Sequence, residues 1–216
     1  MIRVKICGIT SVADALLAAR AGANAIGLIF HDKSPRNVTP QRAKDICSAL
    51  PPLMGAVGVF VNESAEKIQE IRDQVGFGYV QLSGEESPEM AKAFGRRAIK
   101  VLRLKTEADL TQIESYAPTV GAFLLDTPKE GVYGGTGKTG DWSLYRRAVE
   151  RATRLGRPVI LAGGLTPENV GEAVRQVKPF AVDTASGTEK SMGVKAADKV
   201  TRFVREAVAA GLSIKS

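Results

Sequence analysis

The chain has 216 residues, of which 44% are hydrophobic and 25% charged, with a formal net charge of +7. That length is enough for one sizeable hydrophobic core, and no apolar run approaches the roughly 20 residues that span a membrane. The N-terminus lacks a signal-peptide segment, so we expect a cytoplasmic protein with no membrane partner. Because the basic residues are scattered and aromatic residues are few, we expect a small anion as the partner and no nucleic acid.

The first stretch predicts a strand that ends at a thiol. Apolar and polar residues alternate over 2–6, which is the period-two pattern of a strand. Gly8 breaks the strand, so Cys7 stands at its carboxyl end and points the same way as Lys5. A thiol beside an ammonium group is pushed toward thiolate, which makes Cys7 a candidate base or nucleophile. The alternative is that Cys7 is a small buried core residue.

Strand-like apolar runs alternate with helical patterns along the rest of the chain. Strands are predicted at 2–6, 25–30, 56–61, 79–82, 98–102, 121–125, 158–162 and 180–183. Helices are predicted at 13–21, 41–50, 65–75, 88–94, 108–116, 142–154, 167–177 and 194–209.

This strict alternation predicts the fold class. Continuous apolar strands indicate burial on both faces, and hence a parallel sheet. Eight strand–helix units close most naturally into a single (β/α)8 TIM barrel, which is an α/β fold with a parallel eight-stranded core. We expect one domain over residues 1–216; a doubly wound open sheet is the alternative, although it rarely has eight equivalent units.

In such a barrel the chemistry lies at the carboxyl ends of the strands. Asp126 follows the sixth strand, where burial would raise the pKa of its carboxyl group and keep it protonated as a general acid. The alternative for Asp126 is a helix or loop cap. Arg36 follows the second strand, where its guanidinium group could hold a carboxylate with two hydrogen bonds, unless it is a plain surface residue.

Two glycine-containing loops predict a phosphate site. Gly163 and Gly164 follow the seventh strand and precede a cap and Pro167, which we expect at the first helical position. Ser186 and Gly187 follow the eighth strand. The loops after strands seven and eight are the frequent phosphate site of these barrels, because backbone N–H groups there approach an anion closely.

Other features of the sequence have no predicted catalytic role. Residues 131–138 are predicted to form a lid, and their glycine spacing differs from that of a nucleotide-binding P-loop. His31, the only histidine, has no assigned task, and Cys47 is expected in the core. No cluster of Cys and His residues indicates a metal site.

Seven segments together resemble those of the phosphoribosylanthranilate isomerase family. They are KICGIT at 5–10, SPR at 34–36, VQL at 80–82, LLD at 124–126, GGTGKT at 134–139, LAGGL at 161–165 and AVD at 181–183. The resemblance extends over essentially the whole chain. It implies a barrel enzyme of tryptophan biosynthesis that converts N-(5-phosphoribosyl)anthranilate to 1-(2-carboxyphenylamino)-1-deoxyribulose 5-phosphate. This Amadori rearrangement needs no cofactor or metal.

The resemblance also implies roles for individual residues. Asp126 matches the general acid that protonates the furanose oxygen, and Cys7 matches the general base that takes the proton from sugar C2. Arg36 matches the group that holds the anthranilate carboxylate. The further implied substrate-binding positions are Gln81, Gly163, Gly164, Asp183, Ser186 and Gly187.

Two departures from the family pattern are visible, Ser83 where histidine is usual and Gly140 where phenylalanine is usual. The related isomerase of histidine biosynthesis is an alternative function, but that barrel has an aspartate where this chain has Cys7. It also has a second phosphate loop after strand three, where residues 61–63 of this chain contain no glycine. A non-catalytic binding scaffold and an RNA-binding protein are also candidate functions. Monomer and homodimer are both compatible with the sequence.

Overall fold

A closed barrel of eight parallel strands forms the centre of the computed structural model, which describes residues 1–127 and 141–213. The strands are Arg3–Ile6 (β1), Ala25–Ile29 (β2), Gly55–Phe60 (β3), Tyr79–Leu82 (β4), Ala98–Leu102 (β5), Ala122–Leu125 (β6), Val159–Leu161 (β7) and Ala181–Thr184 (β8). They follow one another around the barrel in chain order, and β8 pairs with β1 to close it. The predicted (β/α)8 barrel is confirmed, and the open sheet is wrong. One domain over 1–216 stays a prediction.

Helices follow the strands on the outside of the barrel. Those in the described residues are Val12–Arg20 (α1), Pro40–Ser48 (α2), Ala65–Val75 (α3), Pro88–Lys92 (α4), Thr111–Tyr116 (α5), Trp142–Arg154 (α6), Val170–Val177 (α7) and Ala197–Ser213 (α8). Ser11, Thr39 and Ser64 each cap a helix by accepting a hydrogen bond from the backbone N–H three residues later. Within residues 1–127 and 141–213, no helix has the length and apolar character to cross a membrane.

The apolar core has two layers because strand side chains alternate between the inside and the outside of the barrel. The larger layer lies between strands and helices and contains fully buried Phe60, Phe123 and Phe203. The inner layer fills the barrel with Val57, Ile99, Val101, Leu124, Ile160, Ala162 and Ala181. Polar side chains follow at the carboxyl ends of the strands, and this arrangement positions the site described below.

A buried ion pair joins β5 to the loop after β4. Lys100 Nζ lies 2.7 Å from Glu86 Oε2, and the two side chains are only 4% and 2% exposed. Lys100 also donates to the carbonyl oxygen of Gly84, and the Glu86 carboxylate accepts from the backbone N–H groups of Gly84 and Asn62. The pair therefore holds the loop that leaves β4.

Replacing Lys100 with methionine should destabilise the protein strongly. Lys100→Met leaves the Glu86 carboxylate buried without its cation, which typically costs about 3–5 kcal/mol of the free energy of unfolding. Urea titration measures the loss. Lys67→Met is the matched control, because it breaks the exposed Lys67–Glu70 pair and should cost less than about 1 kcal/mol. Equal losses in the two variants would contradict this prediction.

The segment between β8 and α8 differs from the prediction of a helix over 194–209. The structure has a short antiparallel hairpin there, Glu189–Ser191 (β9) and Val194–Lys195 (β10), and α8 begins only at Ala197. Gly193 makes the turn with φ +77°, a conformation that L side chains rarely adopt. The hairpin returns the chain over the carboxyl end of the barrel before α8 begins.

The start of α7 also differs from the prediction. The helix begins at Val170, so Pro167 does not occupy its first position. The backbone N–H of Thr166 donates to Asn169 Oδ1, and the N–H of Glu168 donates to Thr166 Oγ1. These local bonds form a turn between the glycine pair and the helix.

Candidate active site

A single cavity at the carboxyl ends of the strands brings most of the predicted site residues together. It is lined by Cys7, Arg36, Gln81, Asp126, Gly163, Gly164, Asp183 and Ser186, among others. Gly187 lies instead in an adjoining depression that also contains Gly164 and Ser186. No group of three or more His, Cys, Asp or Glu side chains in residues 1–127 and 141–213 is arranged to hold a metal ion.

Cys7 lies just beyond β1 with its thiol inside the barrel. Its backbone N–H donates to the carbonyl oxygen of Thr184 over 2.8 Å, which ties the end of β1 to β8. Burial raises the pKa of the Cys7 thiol, and the ammonium groups of Lys5 and Lys195 oppose this rise only in part. Lys5 does push Cys7 toward thiolate, as the sequence predicted, but loss of hydration outweighs this attraction and the net pKa of the thiol is raised.

Gly27 on β2 makes room for the thiol. A Cβ atom at this position would lie 2.6 Å from Cys7 Sγ and 3.2 Å from Lys5 Cε. Because a Cβ atom that close to Sγ would force one of the two atoms to move, glycine at position 27 leaves the thiol in its present place.

Lys5 and Asp183 form a buried ion pair, of which Asp183 lines the cavity. Lys5 Nζ donates to Asp183 Oδ1 over 2.9 Å, and the side chains are 4% and 8% exposed. Burial by itself lowers the pKa of Lys5, but Asp183 and Cys7 together raise it above the ordinary value. Lys5 is thus held as a cation between a carboxylate and the thiol.

Asp126 lies just beyond β6. Its backbone N–H donates to the carbonyl oxygen of Leu102, and its Oδ1 accepts from the N–H of Thr127 over 2.9 Å. Burial raises the pKa of the Asp126 carboxyl group, while the Arg103 guanidinium opposes the shift. This direction confirms the effect of burial that the sequence predicted. The hydroxyl group of Tyr145 on α6 donates to the Asp126 carbonyl oxygen and anchors the backbone at this position.

Gln81 and Ser83 form a buried pair at the end of β4. Gln81 Nε2 donates to Ser83 Oγ over 3.1 Å, and Arg103 Nη1 donates to the carbonyl oxygen of Ser83. Among the described residues, Gln81 Oε1 is a buried acceptor without a hydrogen-bond partner. Ser83, at the position where the family pattern has histidine, thus orients the Gln81 amide in this chain.

The two glycine-containing loops, one after β7 and one after β8, contact each other, and both line the cavity. Gly163 and Gly164 have φ values of +80° and +66°, which allow the loop after β7 to turn sharply. A Cβ atom at Gly187 would lie 2.0 Å from the carbonyl oxygen of Leu165, so only glycine permits this contact between the loops. Thr184 Oγ1 donates to the same Leu165 oxygen. The result is a pair of backbone loops with little side-chain bulk at their contact.

Arg36 is bound by a carboxylate that the sequence patterns did not indicate. Its Nε and Nη2 atoms donate to the two oxygens of Glu189, each over 2.7 Å. Glu189 lies on β9, and Lys195 on β10 lies opposite it. Glu189 and Lys195 flank the Met192–Gly193 turn with opposite charges, which is the sequence signal that could have indicated this pair.

The remaining predictions concern the lid, Gly140, His31 and Cys47. The predicted lid at 131–138 and the departure at Gly140 lie outside the described residues. His31, to which the sequence assigned no task, also lines the cavity. Cys47 is half-buried on α2 and packs against the core, as expected.

Comparison with known proteins relates this chain and its fold to one family. The family model for N-(5'phosphoribosyl)anthranilate (PRA) isomerase matches residues 4–206. An N-(5'-phosphoribosyl)anthranilate isomerase of Pseudomonas aeruginosa is 50% identical over 94% of this chain and 93% of its own length. The enzyme of the same name from Trichlorobacter lovleyi is 45% identical over 96% and 98%.

Solved structures give the same relationship. Phosphoribosyl anthranilate isomerase from Thermotoga maritima matches with a TM-score of 0.88 and 41% identity, over 97% of this chain and all of that chain. A further structure of such an isomerase contains reduced 1-(o-carboxyphenylamino)-1-deoxyribulose 5-phosphate. It matches with a TM-score of 0.85 and 39% identity over 97% and 100% of the two chains.

Proposed function

The chain belongs to the N-(5′-phosphoribosyl)anthranilate isomerase family, an isomerase family of tryptophan biosynthesis, and we propose that Asp126 and Cys7 are its general acid and general base. The substrate would be N-(5′-phosphoribosyl)anthranilate. The product would be 1-(2-carboxyphenylamino)-1-deoxyribulose 5-phosphate.

The proposed reaction is an internal redox isomerisation in three steps. Asp126 donates its proton to the furanose oxygen as the C1–O bond breaks, and the nitrogen lone pair forms the C1=N bond of an iminium ion. The Cys7 thiolate then removes the proton from C2, the C–H electrons form a C1=C2 bond, and the C=N electrons return to nitrogen. Finally the enol tautomerises to the ketone, losing its hydroxyl proton to water and gaining one from water at C1, and proton exchange with water returns Asp126 to the acid form and Cys7 to the thiolate.

The electrostatics of the cavity support these two roles. Burial raises the pKa of Asp126, so its carboxyl group keeps a proton over a wider pH range. For Cys7 the same burial disfavours the thiolate, and Lys5 and Lys195 supply the positive charge that opposes it. The base therefore depends on its two lysine neighbours.

The ends of the substrate carry different anionic groups that two parts of the cavity can bind. We propose that the Arg36 guanidinium binds the anthranilate carboxylate and that the glycine loops bind the phosphate. Backbone N–H groups at Gly163, Gly164, Ser186 and Gly187 would donate to phosphate oxygens. Fixing both ends would hold the sugar between acid and base, and positioning of this kind can lower a barrier by about 7–11 kcal/mol.

One observation carries the proposal: Cys7, Asp126, Arg36 and the glycine pair Gly163–Gly164 all line one cavity at the same end of the barrel. The family match supports this function over the histidine-pathway isomerase and over a non-catalytic scaffold. The Thermotoga maritima relative is described as dimeric. Cytoplasmic location and the lack of a nucleic-acid partner stay predictions.

Turnover of the named substrate tests the proposed function directly. Purified protein is incubated with freshly made N-(5′-phosphoribosyl)anthranilate, and loss of its anthranilate fluorescence is followed with and without a chelator. We expect turnover in both samples. If no turnover occurs at any of the protein concentrations used, the proposed function is refuted.

Gly27→Ala should impair catalysis by displacing the thiol. The added methyl group would lie 2.6 Å from Cys7 Sγ, and a misplacement of about 1 Å can reduce a rate by roughly 100-fold. We expect kcat to fall by roughly 10- to 100-fold. Gly78→Ala is the control, because a Cβ atom there meets nothing within 4 Å. A kcat for Gly27→Ala equal to that of the control would show that the thiol position is unimportant.

A further inference from the structure

The Arg36 side chain is held on two sides by groups of the protein itself. Its Nε–H and one Nη2–H donate to the two oxygens of Glu189, in the side-on bidentate geometry of guanidinium and carboxylate. On the other side it packs on Gly8, where a Cβ atom would lie 2.6 Å from Arg36 Cδ. The stem and the side edge of the guanidinium are therefore both fixed.

Glu189 is itself fixed by the hairpin. Lys195 lies opposite it in the β9–β10 register, and Lys195 Nζ lies 3.2 Å from Glu189 Oε1. The same Nζ donates to the carbonyl oxygen of Ala185 over 2.8 Å. The Lys195 and Glu189 side chains are 0% and 6% exposed, so the carboxylate has little freedom to move.

The hairpin is also joined to another loop of the cavity rim. Thr10 Oγ1, in the loop after β1, donates to the carbonyl oxygen of Gly193 at the hairpin turn over 2.6 Å. Arg36 comes from the loop after β2 and Glu189 from the segment after β8. The Arg36–Glu189 pair therefore spans two loops that the strand order places on either side of β1.

We propose that Glu189 is a positioning residue, which aims the end of the Arg36 guanidinium at the carboxylate of the bound ligand. This inference rests on the proposed function, in which Arg36 binds that carboxylate. The bonds to Glu189 use Nε–H and one N–H of Nη2, so the end of the group formed by Nη1 and the second N–H of Nη2 lies outside the pair. Arg36 lines the cavity, and this end is the second fork that a planar guanidinium offers.

The physical benefit is preorganisation. A free arginine side chain has many rotamers, and fixing it on ligand binding lowers affinity. Here Glu189 and Lys195 have already restricted Arg36 in the folded protein. Glu189 also leaves the Arg36–Glu189–Lys195 group with one net positive charge, which is matched to one carboxylate.

Binding of two probes tests the proposal. The first is reduced 1-(o-carboxyphenylamino)-1-deoxyribulose 5-phosphate, and the second is the same compound without its carboxyl group; calorimetry gives both Kd values. In Glu189→Gln the amide keeps the size of the side chain but cannot accept both Arg36 hydrogen bonds. We expect the first probe to bind about tenfold more weakly and the second to bind within about twofold of the parental Kd.

Glu189→Asp separates geometry from charge, because it keeps the negative charge on a side chain one methylene shorter. We expect Glu189→Asp to weaken binding of the first probe as much as Glu189→Gln does. Parental Kd values for both probes in Glu189→Asp would overturn the positioning role. Glu150→Gln removes the same charge from the surface pair with Arg146 and should change neither Kd.

A double-mutant cycle with Arg36→Met completes the test. If Glu189 acts through Arg36, Glu189→Gln adds no further loss in the Arg36→Met protein. A loss that persists there, or equal weakening of both probes in Glu189→Gln, would overturn the proposal. If Arg36→Met binds both probes like the parental protein, the role of Arg36 in the proposed function is what fails.

Discussion

Asp126→Asn should lower kcat by roughly 10²- to 10⁴-fold, the usual contribution of a general acid. Asparagine has the same size as aspartate, and its Oδ1 can still accept from the N–H of Thr127. It has no proton to give to the furanose oxygen, so ring opening loses its acid. The fluorescence assay gives kcat, and we expect KM to stay within a few-fold of the parental value.

The control for this variant is Asp73→Asn, which removes a carboxylate from the exposed face of α3. Its kcat should equal that of the parental protein. If Asp126→Asn also retains parental kcat, Asp126 is not the acid. Thermal unfolding of both variants checks that the fold is intact.

Cys7→Ser should reduce kcat by a similar factor, roughly 10²- to 10⁴-fold. A hydroxyl group ionises far less readily than a thiol, so the base form is nearly absent at neutral pH. Serine is smaller than cysteine and fits beside Gly27 without strain. Binding of the reduced product analogue should therefore survive, and kcat should account for most of the loss.

Cys47→Ser is the matched control, since Cys47 is the other cysteine and lies half-buried on α2. Burial raises the pKa of Cys47 to about 11, and nothing in the proposed mechanism uses it. Its kcat should be parental. Parental kcat in Cys7→Ser would remove Cys7 from the mechanism.

Deuterium at C2 of the substrate distinguishes the two roles. In Cys7→Ser the removal of this proton becomes the slow step, so we expect a larger isotope effect on kcat than in the parental protein. In Asp126→Asn ring opening becomes slow instead, and the isotope effect should shrink. The reverse pattern would mean that the two assignments are exchanged.

The fold was predictable because its signals are local. Apolar runs alternating with helical patterns indicate strand–helix units, and parallel strands must present their carboxyl ends on one face. That topology also allowed Cys7 and Asp126 to be predicted in one site, although they stand 119 positions apart in the numbering of the chain. Their shared cavity needs no detail beyond strand order.

Two features were missed, one that depends on long-range contacts and one that depends on local hydrogen bonds. The β9–β10 hairpin was not predicted, and its second strand fell within the predicted helix over 194–209, because Val194 and the residues after it continue the apolar pattern of α8. Its partner residues lie on other loops, such as Thr10 at a separation of 183 residues. The turn before α7 was missed because Thr166 and Asn169 bond to nearby backbone, in competition with the helix.

The amino-acid sequence by itself determined the barrel and the end of it at which the candidate acid and base would lie, because both follow from periodicity and chain order. The tertiary structure decided how each group behaves there. Burial raises the pKa of Cys7 despite the neighbouring Lys5, and Glu189, 153 residues along the chain, binds Arg36. Hydration and partner choice depend on the distances between side chains, and those distances exist only once the loops have packed together.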